Sequence, residues 1–399
     1  MTDQLVPPAE FDFDNLDLSW LRAKEGVKWR RPGPDVLPAW VADMDFPVAP
    51  PIRDALTEAV RRGDLGYPAW STWTGNNPLA EPFAARMDEL YGWRPQPEWL
   101  YNFSDVLQAL QIVLHLTTRP GDAVALQTPS YPPILKTIEI MRRRVVANSI
   151  ERSGDGWRFA PERLEQEVRA TGCRTLMIVN PHNPTGRVFT RAELQALADI
   201  AMRNDMLIVT DEVLAELAYP PHRHIPIASL GPEIAGRTVT INSATKAFNI
   251  AGLRCAVVHV APKHLRDALN GYPPDFFGPV NVLGVEATKA AWRHGDAWLA
   301  GLLRHLSGNR DLVGEVLGGQ VPIRYDPPEA AYLAWLDCRE LDIDGEPADY
   351  FRTRARVELN TGAGFGREGN GFVRLNFATS TGVLTEILNR MTAAVSGAR

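Results

Sequence analysis

The chain has 399 residues, 45% of them hydrophobic, and its formal net charge of −6 comes from intermixed acids and bases. That length and apolar content suffice for two buried cores, one large and one small domain being the expected division, and they exclude a disordered chain. There is no basic stripe to attract nucleic acid or an anionic membrane, and no window approaches the roughly 18 uninterrupted apolar residues of a membrane span, so small substrates are the expected partners.

Residues 1 to about 39, with Phe11-Asp12-Phe13-Asp14 and Lys28-Trp29-Arg30, show little periodicity and read as an arm packed over another element. Trp40-Val41-Ala42-Asp43-Met44-Asp45-Phe46-Pro47 is a strand-like run carrying two carboxylates, which on a strand end are ordinarily solvated or capping groups. From Pro50 to about Arg62 the spacing predicts a helix, with proline in its first turn and Ile52, Leu56 and Val60 on one stripe. Gly63 ends it, and Gly66-Tyr67 follows in a loop, where a tyrosine ordinarily packs. A second amphipathic helix spans about Leu79 to Tyr91. Tyr101 to Leu110 then passes from a short strand into a helix with Asp105 at its N-cap, and the free amides of such an end, with its positive dipole, can cradle a phosphate.

Ala123-Val124-Ala125-Leu126 has a buried-strand pattern and runs into Thr128-Pro129-Ser130-Tyr131-Pro132. A helix from about Pro133 to Arg142 and a strand from Val145 to Ile150 continue a strand-helix-strand alternation, the signature of a parallel α/β sheet. Thr175 to Val179 is the most strand-like run, and it ends in Asn180-Pro181-His182-Asn183-Pro184-Thr185-Gly186, a turn cluster before a helix from about Arg191 to Arg203. The strand from Met206 to Val209 leads to Asp211 and Glu212, and a carboxylate at the C-terminal end of a parallel strand lies at the ligand-binding edge of such sheets.

Thr238 to Ile241 and Cys255 to Val260 flank a hydroxyl-rich connection, Asn242-Ser243-Ala244-Thr245-Lys246-Ala247-Phe248-Asn249-Ile250-Ala251-Gly252-Leu253-Arg254, with one lysine. A lysine amine, with a pKa of about 10.4, is a poor nucleophile at neutral pH unless it is desolvated or held as a Schiff base. Ser243, Thr245 and Arg254 add hydroxyls and a cation suited to one phosphate. Beyond a proline-rich stretch, Gly271-Tyr272-Pro273-Pro274, helices are expected at about Val282 to His294 and Trp298 to Leu317. A strand from Ala331 to Asp337 and the Gly371–Phe377 run complete the pattern, and Arg374 inside that apolar run needs an anion.

The Lys246 segment, the Asn180–Gly186 cluster and the Trp40 stretch together resemble the class I/II aminotransferase superfamily of fold-type I enzymes dependent on pyridoxal phosphate (PLP). Within it they resemble the cystathionine β-lyase (MalY/PatB-like) branch, with motifs in family order from Trp40 to Arg374. The resemblance implies an α/β fold with a mostly parallel seven-stranded sheet in a large domain over 47–284, an N-terminal arm over 1–46, and a small α+β domain over 285–399. It implies Lys246 as the cofactor lysine and base, Asp211 as partner of the pyridine nitrogen, Tyr131 stacked on the ring and Asn183 donating to the phenolic oxygen. It places the phosphate on the amides of Asp105, Val106 and Leu107 with Ser243, Thr245 and Arg254, and the substrate carboxylate on Arg374 near the Ala42 backbone. Tyr67 is implied to cross to the partner's cofactor in a homodimer.

The sequence departs from the family in three places. Asp105 stands where a small residue is usual, so its carboxylate is expected to turn away from the phosphate. Leu214 replaces the His typical of the lyase branch, and Glu216 replaces its Asp. The implied reaction removes the Cα proton of an amino acid, expels a thiolate from Cβ, and leaves pyruvate and ammonia. An aminotransferase cycle is the alternative, and a PLP-binding regulator or non-catalytic protein a third reading. Cys173, Cys255 and Cys338 lack paired spacing and the eight histidines form no cluster, so neither a disulfide framework nor a metal is expected. Met1-Thr2-Asp3-Gln4 does not open a signal peptide, and a cytoplasmic location is expected.

Overall fold

A computed structural model describes residues 12–70, 76–153, 156–273, 275–319 and 321–396. The expectations for Met1–Gln4, Phe11 and Pro274 fall outside the described residues. Seven strands, β1 (Leu100–Phe103), β2 (Ala123–Thr128), β3 (Arg144–Ser149), β4 (Thr175–Val179), β5 (Leu207–Asp211), β6 (Thr238–Asn242) and β7 (Ala256–Val260), form one mixed sheet. Their order is β1-β7-β6-β5-β4-β2-β3, and β7 alone runs against its neighbours.

Each central strand is buried on both faces, which is why it reads as a continuous apolar run. Along β4, Leu176 and Ile178 join Leu164, Val168, Leu194 and Leu197 from helices Pro161–Thr171 and Arg191–Arg203. Met177 and Val179 join Leu110, Val113, Ile138 and Leu265 from helices Val106–Thr117, Pro132–Ile140 and Lys263–Asn270. The result is a helix-sheet-helix sandwich, the α/β architecture that the strand-helix alternation implies.

Helix Pro50–Arg62 buries Ile52 and Ala59, whereas Val60 is exposed. The expected stripe through Val60 is therefore corrected: at about 100° per residue, the seventh position after Ile52 returns to its face and the eighth has turned about 80° past it.

A smaller antiparallel sheet, β8 (Arg324–Tyr325), β9 (Leu333–Asp337), β10 (Asn360–Thr361) and β11 (Phe372–Asn376), has the order β8-β9-β11-β10. The N-terminal segment packs into the same core, with Phe46, Leu302, Leu375 and Leu388 among its members. Asp45 is not the solvated carboxylate expected of a strand end. It is 1% exposed, pairs with Lys28 Nζ at 3.0 Å and accepts from Trp29 Nε1 at 2.7 Å, which fastens the arm under the Trp40–Pro47 stretch.

Because β7 is reversed, the chain leaves β6 and enters β7 at the same edge of the sheet, where the parallel strands also end. That edge carries Tyr131, Asp211, the Ser243–Lys246 turn and Arg254.

Glu216 is part of the frame. Arg86, 3% exposed, pairs with Glu216 and with Asp296, each at 2.6 Å. Removing one member of a buried pair leaves the other charge without compensation. Arg86→Ala is expected to lower unfolding free energy by about 3–5 kcal/mol in urea titration, and the double change Arg86→Met with Glu216→Leu to recover most of that loss.

Candidate functional site

Lys246 lies in the turn after β6, and its Nζ donates to the Ala42 carbonyl at 2.8 Å. Burial of the amine lowers its pKa below the ordinary lysine range, Asp43 and Asp211 opposing the shift and Arg374 adding to it. Asp43, one of the two carboxylates of the Trp40 stretch, thus lies within electrostatic reach of the lysine. A lysine desolvated in this way offers a neutral amine closer to physiological pH than a solvated one does.

Asp211 closes β5 and is 7% exposed. Burial pushes its carboxyl up to about 6, although Oδ1 accepts from the Val213 amide at 3.1 Å.

Arg374 sits on β11, 2% exposed, with no ion-pair partner among the described residues. Its guanidinium donates to Asn183 Oδ1 at 2.9 Å, Asn360 Oδ1 at 2.8 Å and the Trp40 carbonyl at 3.3 Å, lies over the Phe365 ring, and keeps Nε without an acceptor. Burial pulls its pKa down to about 10. The acceptors are neutral, so the positive charge still lacks a counter-ion. Since Asn183 spends its oxygen on Arg374, its amide nitrogen remains a donor for a ligand oxygen. The Tyr131 phenol is raised by burial, with Arg374 opposing the shift and Asp211 and Asp105 adding to it.

Two of the residues expected to hold a phosphate are in contact. Ser243 Oγ lies 2.9 Å from Thr245 Oγ1, accepts from the Thr245 amide at 3.1 Å and donates to the Cys255 carbonyl at 2.6 Å. Val106 and Leu107 open the Val106–Thr117 helix, so their amides have no intrahelical acceptor. The Asp105 carboxylate is held at both oxygens. Its Oδ1 caps the helix by accepting from the Gln108 amide at 2.7 Å, and its Oδ2 pairs with Arg254. Tyr67 stands fully exposed.

An amine, a buried carboxylate beside it, an amide donor and a hydroxyl-and-amide cluster fit pyridoxal phosphate in chemical type and in grouping. Leu214 is 5% exposed in the hydrophobic core and brings no titratable group to the site. His182 is buried, lies 2.8 Å from Thr185 Oγ1 through Nδ1, and has its pKa pulled by burial down to about 3, which makes it the neutral turn residue expected.

Four residues carry site geometry that sequence pattern does not assign. Tyr332 donates to the Ala42 carbonyl at 3.2 Å, and Asn376 Nδ2 donates to the Val41 and Asp43 carbonyls, each at 2.6 Å. Asn249 Nδ2 donates to the Phe46 carbonyl at 2.9 Å while its Oδ1 accepts from the Met44 amide at 3.1 Å, and Asn360 holds Arg374. The polar pair Arg374 and Asn376, two apart on one apolar strand and therefore on one face, is the signal that could have found Asn376.

Because the Asp211 carboxyl titrates near 6 in the folded chain instead of 3.8, its contribution to stability is fully present below about pH 4 and lost as the pH rises through about 6. Asp211→Asn is expected to stabilise the cofactor-free protein at pH 7 by about 2–3 kcal/mol and to leave it unchanged near pH 4. Urea titrations at the two pH values check the sign.

The model of the family "Aminotransferase class I and II" matches residues 80–391. The chain is 32% identical to a cystathionine beta-lyase of Corynebacterium glutamicum, covering 95% of this chain and 99% of the relative. It is 31% identical to the cystathionine beta-lyase PatB of Bacillus subtilis, covering 93% and 97%. Among solved structures, the PLP-bound C-S lyase of Staphylococcus hominis with L-cycloserine superposes with a TM-score of 0.89 at 27% identity, covering 97% of this chain and 99% of that one. The chain belongs to the class I and II aminotransferase family, with the fold-type I architecture of its PLP-dependent members.

Proposed function

We propose that the protein is a PLP-dependent carbon-sulfur β-lyase that converts cystathionine or another cysteine S-conjugate to a thiol, pyruvate and ammonia. The observation that carries the reading is Arg374, a buried guanidinium without a counter-ion among the described residues, within electrostatic reach of a desolvated lysine. An α-amino acid supplies the missing anion and brings its Cα toward the amine. The relatives named above favour C–S cleavage over transamination.

Pyridoxal phosphate, when bound, supplies the electron sink for the pair left at Cα on deprotonation. The chain's own residues do the rest. Ser243, Thr245, Arg254 and the amides of Asp105, Val106 and Leu107 hold the phosphate. Tyr131 covers the ring, Asp211 keeps a proton on its nitrogen, and Asn183 donates to its oxygen through Nδ2. Arg374 and the Ala42 backbone orient the substrate carboxylate, and Lys246 takes the Cα proton as general base.

The arm over 1–46, the large domain over 47–284 and the small domain over 285–399 are the proposed division. The active unit is a homodimer, with Tyr67 of each copy reaching the other's phosphate. Two features support it: Tyr67 is exposed, and an apolar groove of about 1080 Å³ lined by Leu107, Pro132, Ile140, Phe276 and Phe277 opens beside the phosphate cradle. A cytoplasmic location is proposed with it; no described helix is long and apolar enough to cross a membrane.

The purified protein, loaded with PLP and given L-cystathionine without any 2-oxo acid, is expected to release pyruvate and thiol in equal amounts over many turnovers. Lys246→Ala abolishes the release, and Arg374→Ala lowers kcat/KM by about a hundredfold or more through loss of a charged clamp. A single half-turnover that resumes only when a 2-oxo acid is added makes the protein an aminotransferase instead. Sedimentation is expected to show a dimer, and Tyr67→Phe to weaken PLP binding several-fold.

A further inference from the structure

Asp105 is the N-cap of the Val106–Thr117 helix, whose first amides have no intrahelical acceptor, and Arg254 ends the connection that carries Lys246. Their side chains are joined in an ion pair across the cradle, with Asp105 24% and Arg254 59% exposed. The carboxylate is braced on its other side: Oδ1 accepts from the Gln108 amide, and the Gln108 side chain accepts from the Ser104 amide at 2.9 Å and donates to the Phe277 carbonyl at 2.8 Å. Asp105 is therefore held by its own helix, whereas Arg254 is the exposed and adjustable member.

A phosphate seated on the Val106 and Leu107 amides needs the same guanidinium and meets the same carboxylate. Two anions then compete for one cation, and like charges at such a distance repel. Resting on the PLP reading above, we propose that Asp105 is an intramolecular stand-in for the cofactor's phosphate, holding Arg254 until the phosphate displaces it. Asp105 thereby lowers affinity for the cofactor and speeds its release. The residue acts on the phosphate end alone and takes no part in the reaction at Cα.

Asparagine caps a helix about as well as aspartate, so Asp105→Asn removes the charge and keeps the cap. In this variant, PLP and inorganic phosphate are each expected to bind at least about threefold more tightly than in wild type, the gain shrinking as salt is raised. The gain should lie chiefly in slower release of the cofactor. Pyridoxal, which lacks the phosphate, is expected to bind both proteins equally, a control that a general structural change would not pass. Binding is read by tryptophan quenching and calorimetry, release by transfer of PLP to an excess of an acceptor protein. Should Asp105→Asn fold poorly, Asp105→Ser tests the same charge with another capping residue.

Equal or weaker binding of PLP in the uncharged variants overturns the proposal and makes Asp105 a brace that presents Arg254 to the phosphate. Failure of wild type to take up PLP in a form that depends on Lys246 sinks the functional reading itself. Uptake by wild type without tightening in the variants sinks only the role of Asp105.

Discussion

One buried guanidinium organises the structure. A charge taken out of water costs several kcal/mol even after the protein relaxes around it, and Arg374 has neutral oxygens and an aromatic face in place of a carboxylate. Those groups come from distant parts of the chain: the Trp40 stretch, the turn after β4, the Asn360 strand and the Phe365 turn. Each of these segments contributes to solvating that side chain. The low polarity that makes Arg374 expensive to bury also lowers the lysine and raises Asp211, so the three perturbations share one cause.

The Trp40–Pro47 stretch is the second organising element. The Ala42 carbonyl accepts from both Lys246 and Tyr332, Asn376 binds the carbonyls on either side of it, and Asn249, one turn of chain after the lysine, binds Met44 and Phe46. Below, Lys28 and Trp29 hold Asp45. The stretch is therefore pinned from the arm, the lysine turn and the small sheet at once. Its main-chain oxygens, not its side chains, hold the lysine and the arginine.

Most of the frame was legible from local pattern, because buried parallel strands are short apolar runs and their carboxyl ends bear the functional residues. Asp211, Asn183 and Lys246 stand at such ends, and resemblance gave them roles. Contacts made across the fold leave no such trace. Arg374 reaches Trp40 over a separation of 334 residues, Asn376 reaches Val41 over 335, and Asp105 meets Arg254 over 149. The fate of the Asp105 carboxylate depends on a partner supplied by the connection that leads into β7, which no capping rule contains. Likewise, the burial of Asp45 follows from a lysine in a segment whose own pattern is weak, and the side of the helix to which Val60 turns follows from packing against helix Val282–His294.

The backbone hydrogen bond from the Asn376 amide to Ala39 and the side-chain bonds to Val41 and Asp43 join the Trp40 stretch to β11, more than 330 residues later. On a ribosome, where domains form as they emerge, the Trp40 stretch leaves the exit tunnel long before its partner strand has been made. Throughout that interval Met44 and Phe46 lack the core partners that β11 and the last helix supply. The seven-stranded sheet can assemble meanwhile, since β1 to β7 lie between them. The last act of synthesis is then to capture the waiting N-terminal segment, and a truncated chain that stops before β11 leaves that segment exposed as a target for chaperones or for aggregation.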